Sequence, residues 1–194
     1  MKIVFVRHPP TPWTGVRYVG QRDLGWSRLG SQRAYELVSD LRSRLDGRAR
    51  IISSPLRRAR ALAERLATAT GWDLEVDARW AEVDVGEYEG ATFAEIAARD
   101  PAFAHALSIG DLHVDWPGGE PGEAFGSRVV AAFEGLVRDD VNVVVSHAGP
   151  IALVLEQVYG PGSTSRFLGA GEGIVLVGDR ASGWSQQPLR SYER

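Results

Sequence analysis

Two of the four histidines in this chain stand directly after stretches typical of buried β-strands. His8 follows the apolar run at residues 3–6, and His147 follows the run at 141–145 through a single serine. Ligands of an open parallel sheet bind beside the carboxyl ends of its strands. Either histidine alone is better explained as a polar strand terminus. Together, each with helix-starting residues behind it, they predict a site where they face each other across a crevice.

Arginine side chains are expected at the same edge of the sheet. Arg7 immediately precedes the first of these histidines, while Arg57 and Arg58 follow a predicted strand at 51–52. The dipeptide Ser54-Pro55 predicts an N-cap and a first helical residue, so both later arginines fall in the first helical turn. Cations are unfavourable in that turn, whereas its free N–H groups attract anions, so arginines there indicate an anionic partner. Arg57 is equally compatible with a solvated surface position.

The ligand that suits this arrangement is a phosphate group. His147 opens into Ala148-Gly149-Pro150, a second strand-to-helix junction whose backbone can hold oxygens. The chain has no cysteine, which excludes a thiolate nucleophile, a thiolate metal site and disulfides. It also lacks the G-x-x-x-x-G-K-[ST] phosphate loop, a D-x-D after a strand and the G-x-S-x-G elbow. What remains is a neutral imidazole that attacks phosphorus while arginines stabilise the equatorial oxygens.

The leaving alkoxide of such a reaction needs a proton from a carboxylic acid. Four carboxylates lie in the stretch at 82–90, and the residue types alone do not choose among Glu82, Asp84, Glu87 and Glu89. The predicted site is built from arginine and histidine rather than from clustered carboxylates. We therefore expect neither a metal ion nor another cofactor.

The remaining sequence predicts an α/β fold that positions these residues. Short apolar runs alternate with segments of helical periodicity, which indicates strands buried on both faces and helices that cover them. We therefore expect a three-layer α/β/α sandwich with a mainly parallel central sheet. The predicted strands lie at 3–6, 51–52, 141–145 and 174–177, with a weaker partner around Trp184. The predicted helices lie at 34–45, 59–66, 129–137 and 151–158.

The segment at 91–126 interrupts this alternation and is rich in proline and glycine. We interpret it as a lid-like insertion over one end of the sheet, within a single domain that spans residues 1–194.

The overall charge points to a small-molecule partner. With 25 acidic and 22 basic residues, a net charge of -3, the chain has no general attraction to nucleic acid or to an anionic membrane. The apolar run at 3–6 is too short for a signal or membrane-spanning segment, so a cytoplasmic location is expected. A homodimer is left open.

These residues resemble the signature of the histidine phosphatase superfamily, also called phosphoglycerate mutase-like. Its opening motif, R-H-G-E-T-x-W-N, corresponds here to Arg7, His8, Thr11 and Trp13. The resemblance continues in order along nearly the whole chain, at 17–23, 29–30, 53–59, 82–90, 117–120 and 146–149. It implies a phosphoglycerate mutase-like fold and a metal-independent hydrolase, a phosphatase of the histidine acid phosphatase type that works through a phosphohistidine.

The resemblance also implies roles for individual residues. It makes His8 the phosphorylated nucleophile and Glu82 the proton donor, which resolves the choice among the four carboxylates, and it counts His147 among the catalytic residues. The residues expected to bind the substrate phosphate are Arg7, Arg58, His147, Ala148 and Thr14.

Several positions depart from the family pattern. Pro9 replaces a glycine, which removes a backbone N–H and restricts His8 to extended geometry. Pro10 replaces a glutamate and Thr14 replaces an asparagine. The R-H-P opening, followed by the pattern at 17–23, is similar to one branch of α-ribazole phosphatase-like proteins.

Two other functions stay open at this point. A mutase would return the phosphoryl group to another oxygen of the same substrate, although mutases of this family usually carry further insertions. A non-catalytic phospho-ligand binding module would usually have lost the nucleophile or a pocket arginine, and both are present here.

Substrate choice is predicted to depend on the insertion at 91–126, because the phosphate pocket reads only the phosphoryl group. The insertion offers apolar contacts and two histidines expected at the surface, namely Phe93, Phe103, Trp116, Phe125, His105 and His113. Its nearby cations, Arg99 and Arg128, are too few for a multiply charged acid. We therefore expect a bulkier, less acidic substrate such as a nucleoside-like or sugar phosphate, with α-ribazole phosphate as one candidate.

Overall fold

Within the described residues, six strands form one twisted sheet. The structure is a computed structural model, and it describes residues 1–45, 47–136, 141–161, 168–179 and 182–189. The strands are β1 (Lys2–Arg7), β2 (Ala49–Ser53), β3 (Leu74–Val76), β4 (Val141–Ser146), β5 (Gly173–Asp179) and β6 (Gly183–Pro188). Their order is β3-β2-β4-β1-β5-β6, and β5 alone runs against its neighbours, which confirms the predicted mainly parallel sheet. The sequence pattern does not predict β3, because this edge strand is exposed or half-buried throughout.

Helices cover both faces of the sheet. The described helices are α1 (Arg28–Arg44), α2 (Arg57–Thr70), α3 (Phe93–Arg99), α4 (Pro101–Ser108), α5 (Gly122–Glu134) and α6 (Ala148–Tyr159). In β1, Ile3 and Phe5 join the core formed with α5 and α6, whereas Val4 and Val6 join the core formed with α1 and α2. All four side chains are fully buried, so the predicted three-layer α/β/α sandwich is confirmed. No helix in the described part of the chain is long and apolar enough to cross a membrane.

Helix α2 begins two residues later than the sequence predicts. Its N-cap is Leu56, which has extended backbone and no side-chain cap bond. The prediction of Ser54 as the N-cap and Pro55 as the first helical residue is therefore wrong, although the Ser54 hydroxyl accepts the backbone N–H of Leu56 at 3.2 Å just before the helix. Both Arg57 and Arg58 still occupy the first turn, as predicted. The predicted helical position Val137 lies outside the described residues.

The segment at 91–126 contains two short helices, α3 and α4, followed by a turn that packs on the stretch at 82–90. Gly86 has φ +51°, and a Cβ atom there would collide with the backbone of Pro117 and Gly119. The backbones are tied together, since Glu87 N–H donates to the Pro117 carbonyl at 2.9 Å and Glu120 N–H donates to the Asp84 carbonyl at 2.9 Å. The insertion therefore holds the stretch that carries the candidate proton donors.

Candidate active site

Three adjacent strands deliver the candidate residues to one edge of the sheet. Strand β4 lies between β2 and β1, so the segments that follow all three strands are neighbours. The register pairs Arg7 with Ser146 and Ser53 with Val145. Since these strands are parallel, their carboxyl ends point the same way, and His8, Ser54 and His147 emerge side by side. The imidazole rings of His8 and His147 lie 5.1 Å apart, centroid to centroid, which is the arrangement predicted from the sequence.

The hydrogen bonds of His8 determine which ring nitrogen is free to react. Its Nδ1 lies 2.7 Å from the carbonyl oxygen of Pro9, which only accepts, so Nδ1 carries the proton. Its Nε2 is then unprotonated and accepts from Nε of Arg58 at 3.3 Å. Burial, together with the positive charges of Arg58 and Arg7, holds the pKa of His8 well below its usual 6.5. The ring is neutral at neutral pH, with a lone pair on Nε2.

Arg58 is fixed rigidly beside this lone pair. The side chain is 1% exposed, and its Nη1 and Nη2 donate to the carbonyls of Arg22 at 2.9 Å and Gly20 at 2.7 Å. Burial lowers the pKa of Arg58, against the attraction of Glu82 and Asp23. Because an arginine pKa starts so high, the guanidinium stays charged. It is a fixed positive group directed at the His8 ring.

Arg7 and His147 each carry a buried nitrogen that has no hydrogen-bond partner among the described residues. Arg7 Nη1 donates to the Leu168 carbonyl at 2.7 Å, whereas its Nε is unpartnered. The same holds for Nδ1 of His147, a residue that is fully buried. A buried polar atom without a partner is costly. Two such atoms thus belong to residues that the sequence assigns to the phosphate pocket.

Ser54 forms a buried hydrogen bond with His147. Its Oγ lies 2.7 Å from Nε2 of the imidazole and also accepts the backbone N–H of Leu56 at 3.2 Å. A hydroxyl accepts up to two hydrogen bonds and donates one, so Ser54 Oγ can either donate to Nε2 or accept from it. When it donates, the proton of His147 lies on Nδ1. Burial, then the charge of Arg58, holds the pKa of His147 well below 6.5, so this ring is neutral as well.

The structure also distinguishes among the four carboxylates of the stretch at 82–90. Glu82 lines the same cavity as Arg7 and His8, and Asp84, Glu87 and Glu89 do not. Asp84 accepts the backbone N–H of Gly86, Glu87 pairs with Arg99, and Glu89 lies 3.4 Å from Arg22. Glu82, which the family resemblance implies as the proton donor, is thus the one of these four carboxylates that lines the cavity.

Arg128 holds the backbone around Glu82, and Gly149 leaves space for the Glu82 carboxylate. Arg128 donates to the backbone carbonyls of Ala81 at 2.9 Å and Glu82 at 3.1 Å, and it pairs with Glu120 at 2.6 Å. Arg128, which the sequence predicts only as a cation near the insertion, therefore stabilises this loop. Gly149 provides room, because a Cβ atom there would lie 2.5 Å from Glu82 Oε1.

The remaining predicted residues differ in their placement. Thr14 and Ala148 line the cavity, the latter as the first residue of α6, where backbone N–H groups lack helical acceptors. Thr14 Oγ1 already accepts the backbone N–H of Thr11 at 2.8 Å. Arg57 is exposed and does not line the cavity, and its backbone N–H donates to Asp23 at 2.8 Å.

The cavity above these residues has a volume of about 490 Å³. Its walls come mainly from the loop at 14–20, the stretch at 82–90 and the insertion at 91–126, of which Phe93, Trp116 and Phe125 take part. Phe103 instead packs against Tyr88 and Trp116. The exposed histidines of the insertion do not line the cavity, and His113 pairs with Glu156.

Sequence comparisons identify related proteins. A sequence profile of the histidine phosphatase superfamily (branch 1) matches residues 3–169. The chain is 31% identical over 175 residues to the bifunctional protein Rv2228c of Mycobacterium tuberculosis, with 84% of this chain and 45% of that protein covered. It is 29% identical over 164 residues to the probable phosphoglycerate mutase GpmB of Salmonella paratyphi C, with 82% and 75% covered. The chain thus spans less than half the length of the first relative.

Solved structures share the same fold. The mycobacterial glucosyl-3-phosphoglycerate phosphatase Rv2419c superimposes with a TM-score of 0.81 at 28% identity, covering 96% of this chain and 97% of that one. A putative α-ribazole-5′-P phosphatase of Escherichia coli K-12 gives a TM-score of 0.83 over 98% and 96% of the chains, and at 19% identity it shows the fold alone. The predicted phosphoglycerate mutase-like fold is confirmed. The relatives whose names state an activity are phosphatases or a mutase.

Proposed function

Because the chain belongs to the histidine phosphatase superfamily, we propose that it is a phosphatase that hydrolyses a small phosphomonoester through a phosphohistidine at His8. One observation carries the proposal. The unprotonated Nε2 of His8 is accompanied by two buried nitrogens, Nε of Arg7 and Nδ1 of His147, that have no hydrogen-bond partner among the described residues. We propose that both donate to oxygens of the substrate phosphate.

The first step forms the bond between nitrogen and phosphorus. The lone pair of His8 Nε2 attacks phosphorus while the bond from phosphorus to the alcohol oxygen breaks. Arg7, Arg58 and His147 donate to the three equatorial oxygens, where negative charge is spread in the transition state. Arg58 Nε, which donates to Nε2 in the free protein, transfers this hydrogen bond to a phosphoryl oxygen. Thr14 and the N–H of Ala148 complete the proposed phosphate contacts.

Glu82 moves the protons of both steps. As a carboxylic acid it protonates the departing alkoxide, and as the resulting carboxylate it takes a proton from the water that attacks the phosphohistidine. The bond between nitrogen and phosphorus then breaks, inorganic phosphate leaves, and His8 is again neutral. The protein supplies all the positive charge for this sequence, so the proposal includes no metal and no cofactor.

A mutase is the second candidate, favoured by the identity to the probable phosphoglycerate mutase of Salmonella. The names of the relatives also provide candidate substrates, glucosyl-3-phosphoglycerate and α-ribazole phosphate. Incubation with 3-phosphoglycerate separates the two reactions, because a phosphatase releases inorganic phosphate and a mutase produces the 2-phospho isomer.

Hydrolysis of p-nitrophenyl phosphate tests the proposed activity directly. We expect turnover by the wild-type protein and a loss of at least about 10³-fold in kcat for His8→Ala. His105→Ala is the matched control, since this histidine is exposed on α4 and does not line the cavity. A wild-type protein without turnover would instead support the phospho-ligand binding module. Equal rates for His8→Ala and the control would contradict the proposed nucleophile.

A further inference from the structure

The cavity is divided into a charged floor and an apolar upper part. The floor carries Arg7, Arg58 and His8, which the proposed function assigns to the phosphoryl group. Above it, the walls are formed mainly by apolar side chains, chiefly Val83, Val85, Leu112, Val114, Trp116 and Phe125. A phosphoryl group occupies only the floor of a space of about 490 Å³. The upper part must therefore receive the alcohol half of the substrate.

The charges around the upper part do not favour a second anionic group. Besides the floor arginines, Arg17 is the cation that lines the cavity among the described residues, and its guanidinium already donates to the Gly90 carbonyl at 2.6 Å and lies 3.6 Å from Glu95. Arg99 in the insertion and Arg128 just beyond it are paired with Glu87 and Glu120 and do not line the cavity. Two acids do line it, Asp111 and Glu82. A carboxylate on the substrate would thus meet two acids, hydrocarbon and one cation that is already paired.

Apolar side chains continue outward to the mouth of the cavity. Val16 is 60% exposed and Phe93 is 46% exposed, and both line the opening. Exposed apolar residues that adjoin an apolar cavity mark a surface made for an apolar ligand. The loop at 14–20 and helix α3 therefore offer contact area to a group that extends beyond the phosphate pocket.

We infer that the substrate is the phosphomonoester of a bulky, uncharged alcohol whose carbon skeleton is largely apolar, such as an aryl or arylalkyl group. The inference rests on the proposed function for the position of the phosphoryl group. Its physical basis is the burial of hydrocarbon against the upper walls, combined with the cost of leaving a carboxylate unpaired there. Substrates with a carboxylate near the phosphate are disfavoured for the same reason.

Binding of two matched phosphonates tests this inference without any need for turnover. Isothermal titration calorimetry would compare 3-phenylpropylphosphonate with 3-carboxypropylphosphonate, which share the phosphonate and the linker. We expect the phenyl compound to bind at least about tenfold more tightly, with the more negative heat-capacity change. Equal affinities, tighter binding of the carboxylate, or no binding of either compound would overturn the inference.

Two surface variants check where the preference arises. Phe93→Lys adds a cation at the mouth and should reduce the ratio of the two affinities severalfold. Ile109→Lys is the control, because Ile109 is 69% exposed in the same insertion and does not line the cavity. Val16→Lys repeats the test from the opposite loop if Phe93→Lys does not fold. Unchanged ratios in both mouth variants would contradict the assignment of the upper cavity.

Hydrolysis of the corresponding phosphates separates failure of the inference from failure of the proposed function. If the phenyl phosphonate binds selectively but neither phosphate is hydrolysed, the proposed function is wrong, and only the preference of the upper cavity for an apolar group stands. If both phosphates are hydrolysed with equal kcat/KM, and the phosphonates bind equally, the proposed function stands and the inference is wrong.

Discussion

Oγ of Ser54 lies 2.7 Å from Nε2 of His147, and both side chains are fully buried. The hydroxyl also accepts the backbone N–H of Leu56. When it donates to Nε2, it holds the His147 proton on Nδ1, where a phosphoryl oxygen can accept it, and Ser54 then acts as a positioning residue. The relation links the end of β2 to the end of β4 across neighbouring strands.

Removal of the Ser54 hydroxyl should weaken catalysis without removing a group that touches substrate. We expect Ser54→Ala to lower kcat/KM by about 10- to 100-fold, the usual range for loss of such a supporting hydrogen bond. Ser53→Ala is the matched control, because Ser53 is equally buried and its hydroxyl bonds only to the Ser54 carbonyl. Similar losses in the two variants, with similar changes in stability, would make Ser54 merely structural.

Nitrogen-15 NMR of the imidazole rings should show the protonation states directly. At neutral pH we expect His8 and His147 to be neutral, each with its proton on Nδ1. The Pro9 carbonyl only accepts and fixes this tautomer in His8, and a Ser54 hydroxyl that donates to Nε2 gives the same tautomer in His147. Both rings should resist protonation as the pH falls through 6.5, since burial and the neighbouring arginines lower their pKa values. A proton on Nε2 of His8 would contradict the proposed nucleophile.

The same two histidines should make the fold sensitive to acid. Below pH 6.5 the unfolded chain binds protons at these rings and the folded chain does not, because their folded pKa values lie well below 6.5. The free energy of unfolding therefore falls as the pH decreases, by up to ~1.4 kcal/mol per pH unit for each histidine. Denaturant titrations at several pH values give the free energy of unfolding as a function of pH. We expect this free energy to change less per pH unit in His147→Gln than in the wild type. Parallel curves would show that the lowered pKa contributes nothing to stability.

Glu82→Gln should affect substrates according to their leaving groups. An alkyl phosphate needs a protonated leaving oxygen, so its kcat should fall by about 10²- to 10⁴-fold. The kcat for p-nitrophenyl phosphate should fall much less, because a nitrophenolate leaves without a proton. Gly149→Ala should show a weaker form of the same pattern, since the added methyl group displaces the Glu82 carboxyl.

Glu87→Gln is a suitable comparison for these variants, because Glu87 is exposed and paired with Arg99 outside the cavity. An equal loss on both substrates for Glu82→Gln would make Glu82 a structural residue.

A phosphorylated form of the protein should be trapped at His8, also in the presence of excess EDTA. Rapid quenching in alkali should preserve the label, because a phosphohistidine is stable in alkali and labile in acid. The arginines and histidines of the floor supply the charge, so chelation should leave the activity unchanged. Label in His8→Ala, or activity that returns with Mg²⁺ or Zn²⁺ after EDTA treatment, would contradict the mechanism.

Local sequence patterns determined the elements and most of the chemistry of this protein. The apolar runs at 3–6 and 141–145 predict buried strands because hydrophobic burial depends on residue type and spacing. The same runs fix where His8 and His147 emerge, and Arg58 follows from the strand-to-helix turn after β2. The family motifs imply Glu82 as the proton donor. Residue type alone does not distinguish it from the other three carboxylates of the stretch at 82–90.

Only the tertiary structure decided how these residues act on one another. The order β2-β4-β1 brings together segments that lie far apart in the chain, and no local pattern encodes that order. The sequence predicts a helix cap at Ser54 and only a cation near the insertion at Arg128, because their partners, His147 and Glu120, are known only after folding. The apolar upper cavity is likewise a product of packing, since its walls join the loop at 14–20 to the insertion at 91–126.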